Sequence, residues 1–168
     1  MLNPIDVAAV IRDGGAIGRF PDEIHVGVAW WMGASLVVLT RADRIVVAHD
    51  GHPTSSRFHE RFCRGAVNAR HFACVVVDLR VSDESGLMRV TQEFGAVPGA
   101  LITTTGDGVD TVRISLYDGG GHPLGEESGL AAIRDMIAED RVPIPVNEQA
   151  RGRVERYRSP ATGGGAAE

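Results

Sequence analysis

Four side chains with proton-transfer and metal-binding chemistry crowd one short stretch: His49, Asp50 and His52, with His59 a little further along. Imidazole nitrogens and a carboxylate at this spacing can gather a divalent cation, Mg2+ among them, although His-x-x-His beside an acid is an unspecific pattern. The plainer reading has Asp50 accepting loop amides while the two loop histidines sit in solvent, so a metal site at His49 and His52 is only the weaker alternative. A second polar stretch holds the hydroxyl of Thr105 and the carboxylate of Asp107, separated by Gly106. Arg113 and Arg12 are candidate anion contacts, because the guanidinium fork suits phosphate and carboxylate.

These residues need elements to hold them. Arg44–Ala48 is a short apolar run that suits a buried strand entering the His49–Pro53 loop. Thr54 or Ser55 can cap a following helix with Phe58, Phe62, Ala66 and Val67 on one side. A second buried strand spans 73–79, and 84–94 reads as a helix closed by Gly95. Two strands follow, 99–104 and 111–117, joined by so short a Gly-containing loop that they pair antiparallel. Asp118–Pro123 is a turn and 126–139 a last helix. Earlier, Pro21, Asp22 and Glu23 read as the start of a helix carrying Ile24, Val28, Trp31 and Leu36. Trp30 and Trp31 point about 100° apart on it, one expected in the core and the other at an interface. The pattern is an α/β domain: a single three-layer unit with a mixed sheet of about four strands and helices on both faces.

Composition narrows the partners. The 168 residues carry a net charge of -5, which argues against a nucleic-acid polymer. No apolar stretch is long enough for a membrane span and no signal peptide is evident, so a cytoplasmic location is expected. The two cysteines, Cys63 and Cys74, read as buried reduced thiols. Residues 1–141 are read as the domain, 142–158 as a linker or packing arm, and 159–168, with its run of glycines, as a disordered tail.

Taken in order, these segments resemble the first domain of the α-D-phosphohexomutases, the phosphomannomutase/phosphoglucomutase family. His49-Asp50-Gly51-His52-Pro53-Thr54-Ser55-Ser56 stands where that family has a loop like Gly-Arg-Asp-Thr-Arg-Pro-Ser-Ser. Val77-Asp78-Leu79 matches the end of its next strand. Ile102-Thr103-Thr104-Thr105-Gly106-Asp107-Gly108 stands at its Ile-Thr-Ala-Ser-His-Asn-Pro signature, and Gly120-Gly121-His122-Pro123-Leu124 at its Gly-Gly-Pro-Leu turn. The segment from Ile11 to Gly18 is similar to its Asp-Ile-Arg-Gly motif. The resemblance covers residues 10–140.

The resemblance implies a sugar-phosphate ligand and, in the family, a serine that carries the phosphoryl group, with a magnesium loop in the second domain and further contacts from the third and fourth. Here Thr105 falls at the serine and Asp107 at the asparagine, and His49 and His52 replace both arginines of the earlier loop; Arg113 falls at the family's lysine. An acid beside a phosphorylated side chain adds repulsion unless a metal intervenes. The expectation is a stand-alone, catalytically degenerate domain that binds a phosphorylated sugar or nucleotide, assembling as a homodimer or with a partner chain. The competing expectation is a small divergent enzyme working through Thr105, Asp107 and the histidine loop.

Overall fold

A computed structural model describes residues 6–68, 74–141 and 151–158. The residues alternate strand and helix because apolar runs alternate with amphipathic ones. Arg44–His49 (β3), Val75–Val81 (β4) and Gly99–Thr105 (β5) form the parallel centre of the sheet, in the order β5-β3-β4. Asp110–Tyr117 (β6) pairs antiparallel with β5, Gly15–Phe20 (β2) antiparallel with β6, and Ile11–Arg12 (β1) antiparallel with β2. Arg153–Arg156 (β7) closes the far edge, parallel to β4. Among the described residues the sheet thus has seven strands rather than the expected four or so, because β1, β2 and β7 join it. Of the segment 142–158, residues 151–158 are described and supply β7; the remainder, and the expected tail at 159–168, lie outside the described residues.

Side chains alternate across the sheet with a period of two. Ile45, Val47, Val76, Ile102, Val112 and Ile114 enter the larger core under Val26–Thr40 (α2), Pro53–Val67 (α3) and Ala131–Ala138 (α5). Val46, Ala48, Val75, Val77 and Leu101 enter a smaller core with Leu87 and Val90 of Glu84–Glu93 (α4) on the opposite face. A short helical turn, Val7–Val10 (α1), precedes β1, and a π-turn at Glu126–Leu130 leads into α5. No helix of the described residues is long and apolar enough to cross a membrane.

Two boundaries differ from expectation for local reasons. α2 begins at Val26, not at Pro21, with the His25 ring accepting the Gly27 amide as its N-cap. Glu23 is held back from helix by its own carboxylate, which accepts the Arg19 amide at 2.8 Å and the Arg19 guanidinium at 3.1 Å. α3 is capped by His52 rather than by Thr54 or Ser55, with Pro53 in the first turn, where its missing amide costs nothing.

α2 and α3 touch backbone to backbone. A methyl group built on Gly65 would lie 1.9 Å from the Trp30 carbonyl oxygen, and one on Gly33 would lie 2.1 Å from that of Phe62. The crossing is therefore closed from both sides by glycine. Trp30 and Trp31 are half-buried and meet edge to face with centroids 5.4 Å apart. Both cysteines are free and buried, and burial pushes the Cys74 thiol up to about 12 and raises that of Cys63 as well.

Candidate site at the carboxyl ends of the parallel strands

The chain leaves β3 for α3 on one face, then returns through β4 and α4 on the other to form β5. Strand order reverses about β3, and the crevice outside the carboxyl ends at such a reversal is where open α/β sheets take ligands. Two loops flank it here. One follows β3 and holds His49, Asp50 and His52; the other is the β5–β6 turn with Thr105 and Asp107.

Asp50 joins them. One carboxylate oxygen accepts the His52 amide at 3.0 Å, and the other accepts the Thr104 amide at 2.8 Å across the crevice. Burial pushes its carboxyl up, but the two amides, with the Ser55 hydroxyl and the nearby His52 ring, together outweigh that and hold it below the usual range. The loops are also tied by the Ser55 and Thr104 hydroxyls at 2.5 Å, and by the Thr54 hydroxyl donating to Asp110 at 2.6 Å. Asp50 is thus mainly a brace, as the plainer sequence reading has it. Replacing Asp50 with alanine frees the buried Thr104 amide and is expected to cost about 1–2 kcal/mol, while Asn keeps one acceptor and about half of that. Chemical denaturation of the three proteins checks the order.

The histidines serve the same loop. Nδ1 of His49 accepts the Gly51 amide and Nδ1 of His52 the Thr54 amide, both at 3.1 Å. His49 is buried rather than in solvent, and burial lowers its pKa. With Asp50 and both imidazoles turned onto backbone amides, these donors do not fit a magnesium cage, and no group of three or more His, Cys, Asp or Glu among the described residues is placed to hold a metal.

Thr105 and Asp107 stand exposed at the tip, and Asp107 makes no hydrogen bond or ion pair among the described residues. Gly106 and Gly108 take φ values of 119° and 91°, which side chains rarely adopt, so these glycines shape the tip. Arg113 lies on β6 between Val112 and Ile114 and points to the other face, donating to the Asp13 carbonyl at 3.2 Å. Arg12 is opposite Gly15, at the end of β2 away from the crevice, where it pairs with Asp13 at 2.7 Å. The fold therefore brings together His49, Asp50, His52, Thr105 and Asp107, but neither arginine.

One pair escapes a reading of motifs. His59, on α3, donates from Nε2 to Asp78 at 3.0 Å, and its ring lies 4.7 Å from that of His49. Asp78 also accepts the Arg80 amide at 2.9 Å, and these bonds outweigh its burial to keep the carboxyl below the ordinary range. A lone acid inside the apolar run Val75–Leu79 was the available signal. His122 is an exposed turn residue near Asp118.

The architecture recurs in solved structures. A putative phosphomannomutase from Thermus thermophilus superposes with a TM-score of 0.68 at 18% identity, over 94% of this chain and 34% of its own. A phosphoglucomutase/phosphomannomutase family protein from Burkholderia thailandensis gives 0.64 at 16%, over 89% and 33%. In sequence, phosphohexose mutases from Xanthomonas campestris pv. campestris are 26% identical over 123 residues, 73% of this chain. The chain is phosphohexomutase-like. A phosphomannomutase from Salmonella montevideo adds 24% identity over 135 residues, 80% of this chain. The phosphohexomutase likeness covers 27% of the Xanthomonas proteins and 29% of the Salmonella one, so the chain matches under a third of these relatives' length. No protein-family model matches the chain.

Proposed function

We propose that this domain binds a phosphorylated sugar or nucleotide at the crevice beside β3 and β5 without passing a phosphoryl group through Thr105. The observation that carries the reading is the braced pair of loops at the reversal point of a phosphohexomutase-like sheet, tied by Asp50 to Thr104 and by Thr54 to Asp110. Phosphoryl transfer requires cationic donors and metal around the moving group. The loop segments 49–52 and 105–110 contain no arginine or lysine, and Asp107 adds a free negative charge two residues from Thr105. The same residues suit the hydroxylated ring of such a ligand, with Asp107 accepting sugar hydroxyls and Thr105 offering one of its own.

Calorimetric titration with a panel of hexose 1- and 6-phosphates and sugar nucleotides tests this. Binding weakened about tenfold by Asp107→Ala is expected, since charge-assisted hydrogen bonds are the strong ones. Absence of heat with every member at millimolar concentration sinks the reading. After incubation with glucose 1,6-bisphosphate and magnesium, mass spectrometry is expected to find no phosphate on Thr105, and stoichiometric labelling there would restore a phosphoryl-carrier role.

A further inference from the structure

A second cleft, of about 500 Å3, opens on the other side of His49, between α3, β4 and β7. That volume is within the range of small-molecule sites. Its polar floor is His49, His59 and Asp78, and Val67, Val81 and Val154 form apolar walls. Val81 and Val154 are 64% and 48% exposed, the largest exposures among the described large hydrophobic residues together with Val109. Apolar side chains left open beside a buried polar floor are the pattern of a ligand site, with contact area on the walls and orientation from a few polar groups.

The polar groups sort themselves by what they already bind. Asp78 is occupied by His59 and the Arg80 amide. Glu60 and Arg64 at the rim pair with each other at 2.6 Å. His49 accepts the Gly51 amide on Nδ1, so the neutral ring carries its proton on Nε2 and has a donor to spare. Arg80 lines the cleft, is exposed, and makes no side-chain hydrogen bond or ion pair among the described residues. It is also held at φ 63°, a left-handed conformation uncommon for a residue with a side chain. Beside the exposed Ser56 hydroxyl, the cleft holds one cation without a hydrogen-bond partner and one imidazole donor to spare; its carboxylates, Glu60 and Asp78, are paired.

We infer that this cleft binds a small organic anion with an apolar body, its charged group meeting Arg80 and Nε2–H of His49 and its body lying on Val67, Val81 and Val154. The inference does not depend on the crevice reading, since Arg80, Val67 and Val154 take no part there.

The probes are hexanoate, n-butyl phosphate and the neutral hexanol, each titrated into 15N-labelled protein and followed by two-dimensional NMR. Saturable shifts at Arg80, Val81, Val154 and His49 Nε2 are expected with the anions and not with hexanol. The tighter anion tells whether carboxylate or phosphate is preferred. Arg80→Gln keeps the backbone strain, is expected to fold, and should weaken anion binding about tenfold while leaving any hexose-phosphate heat unchanged. Shifts absent from the cleft, equal binding of hexanol, or an unchanged affinity in Arg80→Gln would each overturn the assignment. Because hexose phosphates are titrated separately, failure here is distinguishable from failure at the crevice.

Discussion

Gly65→Ala is expected to lower the melting temperature by roughly 6–12 °C, from about 3 kcal/mol of lost stability in a domain of this size. The added methyl would stand 1.9 Å from the Trp30 carbonyl oxygen, where contacts below 3.0 Å are essentially never seen. Neither partner can yield cheaply, because the obstacle is helix backbone and not the end of a flexible side chain. Alanine ordinarily favours helix over glycine by about 1 kcal/mol, so propensity alone gives the opposite sign. The sign of the measured change decides between them. Arg64→Ala, one residue earlier on the exposed side of α3, loses only a surface pair with Glu60 and serves as the control, with a change of about 0.5 kcal/mol. Equal melting temperatures for the two variants would show that α2 and α3 are further apart than described.

Asp78→Ala is expected to cost about 2–3 kcal/mol at neutral pH and to flatten the response to acid. The His59 ring is mostly buried, its side chain 9% exposed, and would lose the acceptor on Nε2. A buried donor left without a partner carries its desolvation penalty in full. The pH dependence follows from the lowered Asp78 pKa. A carboxylate whose folded pKa lies below its unfolded value contributes fully above the unfolded value, near 3.8, and loses that contribution as pH falls through the folded one. His49 acts in the same direction at higher pH. Burial disfavours its charged form, so stability begins to decline as pH drops below the ordinary 6.5. Denaturation midpoints of the parent and Asp78→Ala from pH 7 to 3 should converge at the acid end. Parallel curves would mean that the pair contributes nothing that depends on protonation.

The central strands were legible because β3, β4 and β5 are runs of apolar residues, and β6 alternates in step with its neighbours. β2 was not: Gly15 and Gly18 interrupt it, and its pairing with β6 is a tertiary fact. Nor was β7, since Arg-Val-Glu-Arg offers one apolar side chain and becomes a strand only because β4 presents a free edge. The helix starts at Val26 and not at Pro21 because, although an Asp-Glu pair after proline usually opens a helix, Glu23 here folds back on Arg19. At the crevice, the histidine loop and Thr105 group as one candidate site in the sequence, and the loop-amide bond of Asp50 follows from the ordinary behaviour of a loop aspartate, whereas its reach across to Thr104 is visible only in the fold. The second cleft has no counterpart in local pattern. His59, Asp78 and Arg80 meet only after α3 is laid across β4, and the Arg80 guanidinium stands out only once the other charges lining the cleft have been given partners.

β7 runs parallel to β4, with Asp78 opposite Arg156, and Tyr157 is then fastened by its amide to Asp78 and by its hydroxyl to Glu93. The Tyr157 ring meets Phe94 with centroids 6.3 Å apart, and Arg158 lies beside Glu93 and Phe94 at the end of α4, so the chain leaves β7 over the α4 face. These last described residues strap α4 to the edge of the sheet, so loss of the Tyr157 ring would loosen edge strand and helix together.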